Sequence, residues 1–161
     1  MKSTEEYINT AVVNLHETAP FNLEYSAEIE KQLSSIAQQG YPYEVCGFLL
    51  GDKESPYVVK QIIEVKNSAA QKERRFEIAP LDYLNVEKEA LNSDKQLIGI
   101  FHSHPEYPAI PSEHDLKFAV EGFAYPIISI DGNGLVLIRS WILENGKFIN
   151  QNIKISELWQ Q

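Results

Sequence analysis

Cysteine is nearly missing from this chain. Cys46 is the single one in 161 residues, which excludes an internal disulfide framework and any zinc site made of paired Cys-x-x-Cys ligands. Long apolar runs are missing as well: none approaches the roughly 20 residues that span a bilayer, so no membrane partner is expected. Basic residues are outnumbered, 14 Lys and Arg against 23 Asp and Glu. The resulting net charge of -9 repels a phosphate backbone, and no Lys/Arg stripe with interleaved aromatics overrides it, so nucleic acid is not an expected partner either. The opening "MKSTEEYINTAVVNLHETAP" lacks a basic segment followed by an apolar one; it does not read as a secretory signal, and a cytoplasmic location is expected. Internal repeats and low-complexity segments are absent too.

What is present suits one mixed α/β (α+β) domain, with a polar arm or short helix over residues 1–22 and the domain proper over 23–161. Ile29, Leu33 and Ile36 recur at helical spacing, which predicts a helix from Leu23 to Gln39. "EVCGFLLG" and "YVVKQIIEV" read as two strands joined by a turn, and Lys66 to Arg75 as a mobile loop without apolar period. A helix is expected over Leu81 to Asn92, then a buried strand "QLIGIFHSH", a helix over Ser112 to Gly122, a hairpin around "DGNG", and "KFINQNIKI" as one last strand.

The chemistry concentrates in "GIFHSHPEYPAIPSEHDL". Side chains two apart on a strand share a face, so His102 and His104 can reach one ion, although a bare His-x-His also suits a polar strand end facing solvent. Ser112 and Asp115 fit a helix N-cap with an acid in the first turn, which needs no metal. Together, His102, His104 and Asp115 nevertheless offer two nitrogens and one oxygen, the set a catalytic zinc uses with water in its fourth position.

"HSHPEYPAIPSEHD" and the upstream "EVCGFLLG" closely resemble the signature of the JAMM metalloproteases, also called MPN+ or JAB, and the resemblance runs from about Glu24 through "RRFEIAP" to the C-terminal strands. It implies the JAMM/MPN fold, related to the cytidine-deaminase-like fold, with a mixed central sheet flanked by helices. One Zn2+ with a bound catalytic water is implied on His102, His104 and Asp115, with Glu44 as general base and Ser112 supporting the oxyanion. The implied activity is that of a compact prokaryotic, deubiquitinase-like isopeptidase or peptidase. It would cleave after the C-terminal tail of a ubiquitin-like protein, in a bacterial conjugation system of the kind that can serve antiphage defence. Lys66 to Arg75 is the expected flank of the tail groove.

Two other readings stay open: release of cysteine or a small adduct from a ubiquitin-fold sulfur carrier, and a non-catalytic MPN scaffold, against which the complete ligand set argues. Other zinc hydrolases fail on residues alone. No His-Glu-x-x-His and no Pro-Cys-x-x-Cys occurs, and 161 residues are too few for a (β/α)8 hydrolase of about 250. Cys46 reads as a small buried strand residue, His114 is expected in solvent on its helix and His16 in the polar arm, and Arg74 and Arg75 suit a solvated loop face or, as the alternative, contact with a substrate's carboxylates.

Overall fold

The computed structural model describes residues 3–54 and 56–156. In chain order, a 3-10 turn at Thr4–Tyr7 leads to β1 (Val13–Thr18), β2 (Leu23–Ser26), α1 (Ala27–Gly40), β3 (Cys46–Asp52), β4 (Tyr57–Val65) and α2 (Pro80–Leu91). There follow β5 (Gln96–Pro105), α3 (Glu113–Lys117), β6 (Ala124–Ile130), β7 (Val136–Glu144), β8 (Lys147–Gln151) and β9 (Ile153–Ser156). The fold is the expected mixed α/β one. Among the described residues, no helix is long and apolar enough to cross a membrane.

The nine strands among the described residues join one sheet in the order β1-β8-β7-β6-β5-β3-β4-β2-β9. Only Asn152 separates β8 from β9, yet the two stand second and last in that order, so the sheet must curl until its ends approach. The connection from β1 to β2 bridges the same seam, fastened by Ala19 N–H to Asn150 O at 2.7 Å and Leu23 N–H to Asn152 O at 2.9 Å. β3 and β5 lie at the centre, and side chains alternate across them. Leu49 and Phe101 pack on the side of α1 with Leu33 and Ala37, while Phe48 and Ile100 pack on the side of α2 with Val86. Burial on both faces is why "CGFLL" is continuously apolar instead of alternating. Each such Leu or Phe contributes about 1.5–3 kcal/mol by leaving water.

Gly47 sits in this centre because nothing larger fits: a Cβ there would stand 2.3 Å from Ile63 O and 2.5 Å from the Phe101 ring. Phe101 precedes His102 and Ile63 O belongs to the neighbouring strand, so neither yields without moving the sheet. Gly47→Ala should cost about 1–3 kcal/mol, the usual range for overpacking, read as a fall in the urea midpoint at unchanged slope.

Several expectations about the elements change. Residues 3–22 lie against the domain through Tyr7 and Ile8 of the 3-10 turn, as expected, and also supply an edge strand that was not expected: β1 pairs in parallel with β8. Its outer residues are exposed, so it carries no apolar alternation to read. The expected boundary at residues 22–23 falls between two strands of one sheet, and the ends 1–2 and 157–161 lie outside the described residues. The helix expected from Leu23 begins at Ala27, because Ser26 Oγ accepts the Ile29 N–H at 3.2 Å and Leu23–Ser26 pairs with β4 and β9. The helix expected to Gly122 ends at Lys117. "KFINQNIKI" is two strands, β8 between β1 and β7 and β9 at the far end of the order.

Candidate metal centre

His102 and His104 stand at the carboxyl end of β5, where it runs antiparallel to β3 and parallel to β6. Both are buried, and their Nε2 atoms approach to 3.0 Å. Between them Ser103 faces the other way: its N–H donates to Val45 O at 3.1 Å, and its Oγ accepts the Val45 N–H at 2.9 Å. This fastening carries Glu44, just outside β3, to the histidine pair. Glu44, His102 and His104 each bring one ligand-type atom within 4.8 Å of the others.

Asp115 closes the arrangement from α3. Its Oδ2 is 3.3 Å from His102 Nε2 and 3.3 Å from His104 Nε2. A reciprocal capping box sets it there: Ser112 N–H donates to Asp115 Oδ2 at 2.9 Å, and Asp115 N–H donates to Ser112 Oγ at 3.1 Å. The cap and the carboxylate's aim are thus one geometry. The Ser112 hydroxyl hydrogen stays available, since both of these bonds use other atoms of that residue.

The residues fit a divalent metal. Ligand atoms 2.0–2.2 Å from a shared tetrahedral zinc stand roughly 3.3–3.5 Å apart, close to the 3.0–3.3 Å spacing of His102, His104 and Asp115. His104 Nδ1 lies 2.7 Å from Pro108 O, and a carbonyl can only accept, so the proton sits on Nδ1 and the lone pair of the neutral ring on Nε2. Three electron-rich atoms converging in a buried place demand a proton or a cation between them. Against burial, which opposes it, His102 and His104 hold the Asp115 carboxyl well below its usual range. Burial lowers His102, whereas His104 is raised because bonding to Asp115 outweighs its desolvation. Glu44 belongs to a wider set than Asp115, and its Oε2 is already engaged. Burial pushes its carboxyl up to about 8.

Tyr107 is the site residue that the pattern of ligand types did not reveal. Its ring stacks on His104 at 4.1 Å and 16°, and its hydroxyl donates to Glu44 Oε2. Phe76 stacks on His102 at 4.5 Å. A Tyr three positions after the second His, among prolines, was the available signal. Loop Lys66 to Arg75 is pinned, contrary to expectation: Asn67, 8% exposed, donates to Glu44 O and Arg75 O and accepts from Ala69 N–H and Glu77 N–H. Glu44 N–H in turn donates to Lys72 O at 2.6 Å.

Two openings flank the centre. A groove of about 680 Å³ runs past Ser112 and Tyr107 between Tyr7, Arg74 and Glu106; Arg74 is exposed, as expected, and lines it. A cavity of about 330 Å³ lined by Phe76, Tyr83, His114 and Phe118 reaches Asp115 from the other side. His114 is half-buried there instead of facing solvent. His16 is exposed on β1, and Cys46 is buried, its thiol pushed up to about 12 by desolvation, as suits a strand residue without chemistry.

The chain is similar to known proteins in sequence and in fold. The family described as prokaryotic homologs of the JAB domain matches residues 26–144. A desampylase of Pyrococcus furiosus is 35% identical over 109 residues, 67% of this chain and 72% of that protein. A CysO-cysteine peptidase of Mycobacterium tuberculosis is 24% identical over 132 residues, covering 81% and 89%. The crystal structure of AF2198, a JAB1/MPN domain protein from Archaeoglobus fulgidus, superposes with a TM-score of 0.51 at 19% identity, covering 83% of this chain and 99% of that one.

Proposed function

Since the chain belongs to the prokaryotic homologs of the JAB domain, we propose that it is a zinc-dependent isopeptidase or peptidase acting after the C-terminal tail of a ubiquitin-like protein. The observation that carries this reading is the buried triangle of His102 Nε2, His104 Nε2 and Asp115 Oδ2 beside a buried carboxylate, Glu44. These three side chains would hold the metal. Zinc bound there would supply Lewis acidity and bring the pKa of water near 7.

The protein's own groups divide the remaining work. Glu44 takes a proton as water adds to the scissile carbonyl carbon, and returns it to the leaving nitrogen as the C–N bond breaks. Ser112, held by the α3 cap, offers its hydroxyl hydrogen to the oxyanion that forms. The groove between Tyr7, Arg74 and Tyr107 is also lined by Ser112 and suits an extended tail, whose small glycines admit close approach of the backbone.

A second reading, release of cysteine or a small adduct from a sulfur carrier of ubiquitin fold, is favoured by the likeness to the CysO-cysteine peptidase. One experiment separates the two. Glu44→Ala protein, which keeps the proposed ligands, is used to capture substrate from the native cell, and the captured material is treated with active enzyme and weighed by mass spectrometry. Loss of a protein or peptide supports the first reading, and loss of one amino-acid mass the second. A captured carrier whose mass does not change under the active enzyme would overturn both.

A further inference from the structure

We infer that Tyr107 is a positioning residue for the proposed base: it fixes one oxygen of Glu44 and thereby commits the other to proton transfer. The inference rests on the assignment of Glu44 as base. Glu44 is 2% exposed, and its two oxygens are unequally served. Oε2 accepts the Tyr107 hydroxyl, while Oε1 is buried with no hydrogen-bond partner among the described residues. A carboxylate with two free oxygens could swing about its last torsion and present either. With Oε2 held, the lone pairs of Oε1 have one direction.

Tyr107 is itself held from three sides. Its ring lies on His104 with centroids 4.1 Å apart, its carbonyl accepts the Ser129 hydroxyl at 2.7 Å, and its hydroxyl lies 3.4 Å from Arg74 O. The next carbonyl, of Pro108, accepts from His104 Nδ1 at 2.7 Å. One short loop therefore fixes both the ring that offers a metal-facing lone pair and the carboxylate beside it. Tyr7 of the N-terminal 3-10 turn also stacks with Tyr107, at 6.3 Å, so a segment outside the family match meets the same ring. The two contacts of Tyr107 are chemically separable: the stack needs a ring, and the bond to Glu44 needs a hydroxyl.

The test uses the zinc-loaded full chain and, as probe, a tail peptide ending in Gly-Gly with a fluorogenic amide. Tyr107→Phe should keep zinc as well as wild type in chelator competition, because the ring remains, and should lose roughly 10–100-fold in kcat at unchanged KM, the range for outer-shell partners. Tyr107→Leu should lose kcat similarly and also release zinc faster. In a Glu44→Gln background, Tyr107→Phe should change the residual rate by less than about twofold, since coupled residues are not additive. A kcat for Tyr107→Phe within about twofold of wild type, or the same loss in both backgrounds, overturns the proposal. Full turnover by Glu44→Gln alone overturns the assignment of Glu44 beneath it, so the two failures are distinguishable.

Discussion

Asp115→Asn protein, purified beside the wild type and measured by metal analysis, should retain less than roughly a tenth of the one zinc expected per chain, and its hydrolysis of the Gly-Gly amide should fall by more than the 10–100-fold that loss of a supporting residue costs. Asparagine is the informative replacement because Asp115 Oδ2 does two things at once. It accepts the Ser112 N–H at 2.9 Å, and it faces both imidazoles at 3.3 Å. A carboxamide oxygen can still accept that N–H, so the α3 cap survives, and with it the roughly 1 kcal/mol such caps contribute. What the amide lacks is charge. Two neutral imidazoles and a neutral amide attract a dication far less than two imidazoles and a carboxylate. Unfolding of the zinc-stripped variant should therefore stay cooperative while metal binding collapses. Equal zinc in the two proteins would show that the oxygen ligand is elsewhere, and the wider set including Glu44 would then be the one to test.

How much of this could be read in the sequence depends on how local each feature is. His102 and His104 were legible because a strand's two-residue period puts them on one face, and Ser112 with Asp115 because a capping box is a four-residue pattern. Capping and the proposed coordination do not compete, since the oxygen that accepts the cap's N–H also faces both imidazoles. Glu44 was reachable only through resemblance: its place depends on the β3–β5 register, Cys46 opposite His102, and on Ser103 holding Val45. No local pattern encodes a pairing between such distant segments. Tyr107 and Asn67 act from loops, where a side chain's role comes from what it touches and periodicity is silent. β1 was hidden by its exposure at the sheet edge, and the break at Asn152 because no glycine or proline marks it in "KFINQNIKI". The interior strands were clear because both faces are buried. The elements that close the curled sheet were not, because closure is a property of the whole order.

Glu44→Gln should bind zinc as wild type does and lose roughly 10²–10⁴-fold in turnover, the share that general acid–base catalysis commonly supplies. The glutamine oxygen can still accept from the Tyr107 hydroxyl, so the pinning stays and only the proton acceptor disappears. A stability measurement makes the case independent of the assay. In zinc-stripped protein, burial raises the Glu44 carboxyl from its ordinary 4.5 to about 8, so the folded state binds its proton more tightly than the unfolded chain does. Stability from that proton is present in full below about pH 4.5 and is lost as pH rises towards 8. Glutamine is neutral throughout. The melting temperature of the variant should therefore gain on that of the wild type as pH is raised from 5 to 8 in the presence of chelator. A difference that stays constant over that range would mean that Glu44 ionises in the folded protein as freely as in solvent. The two measurements belong together: a carboxylate kept where ionisation costs stability, and whose neutral replacement folds better but turns over poorly, is held there for its chemistry.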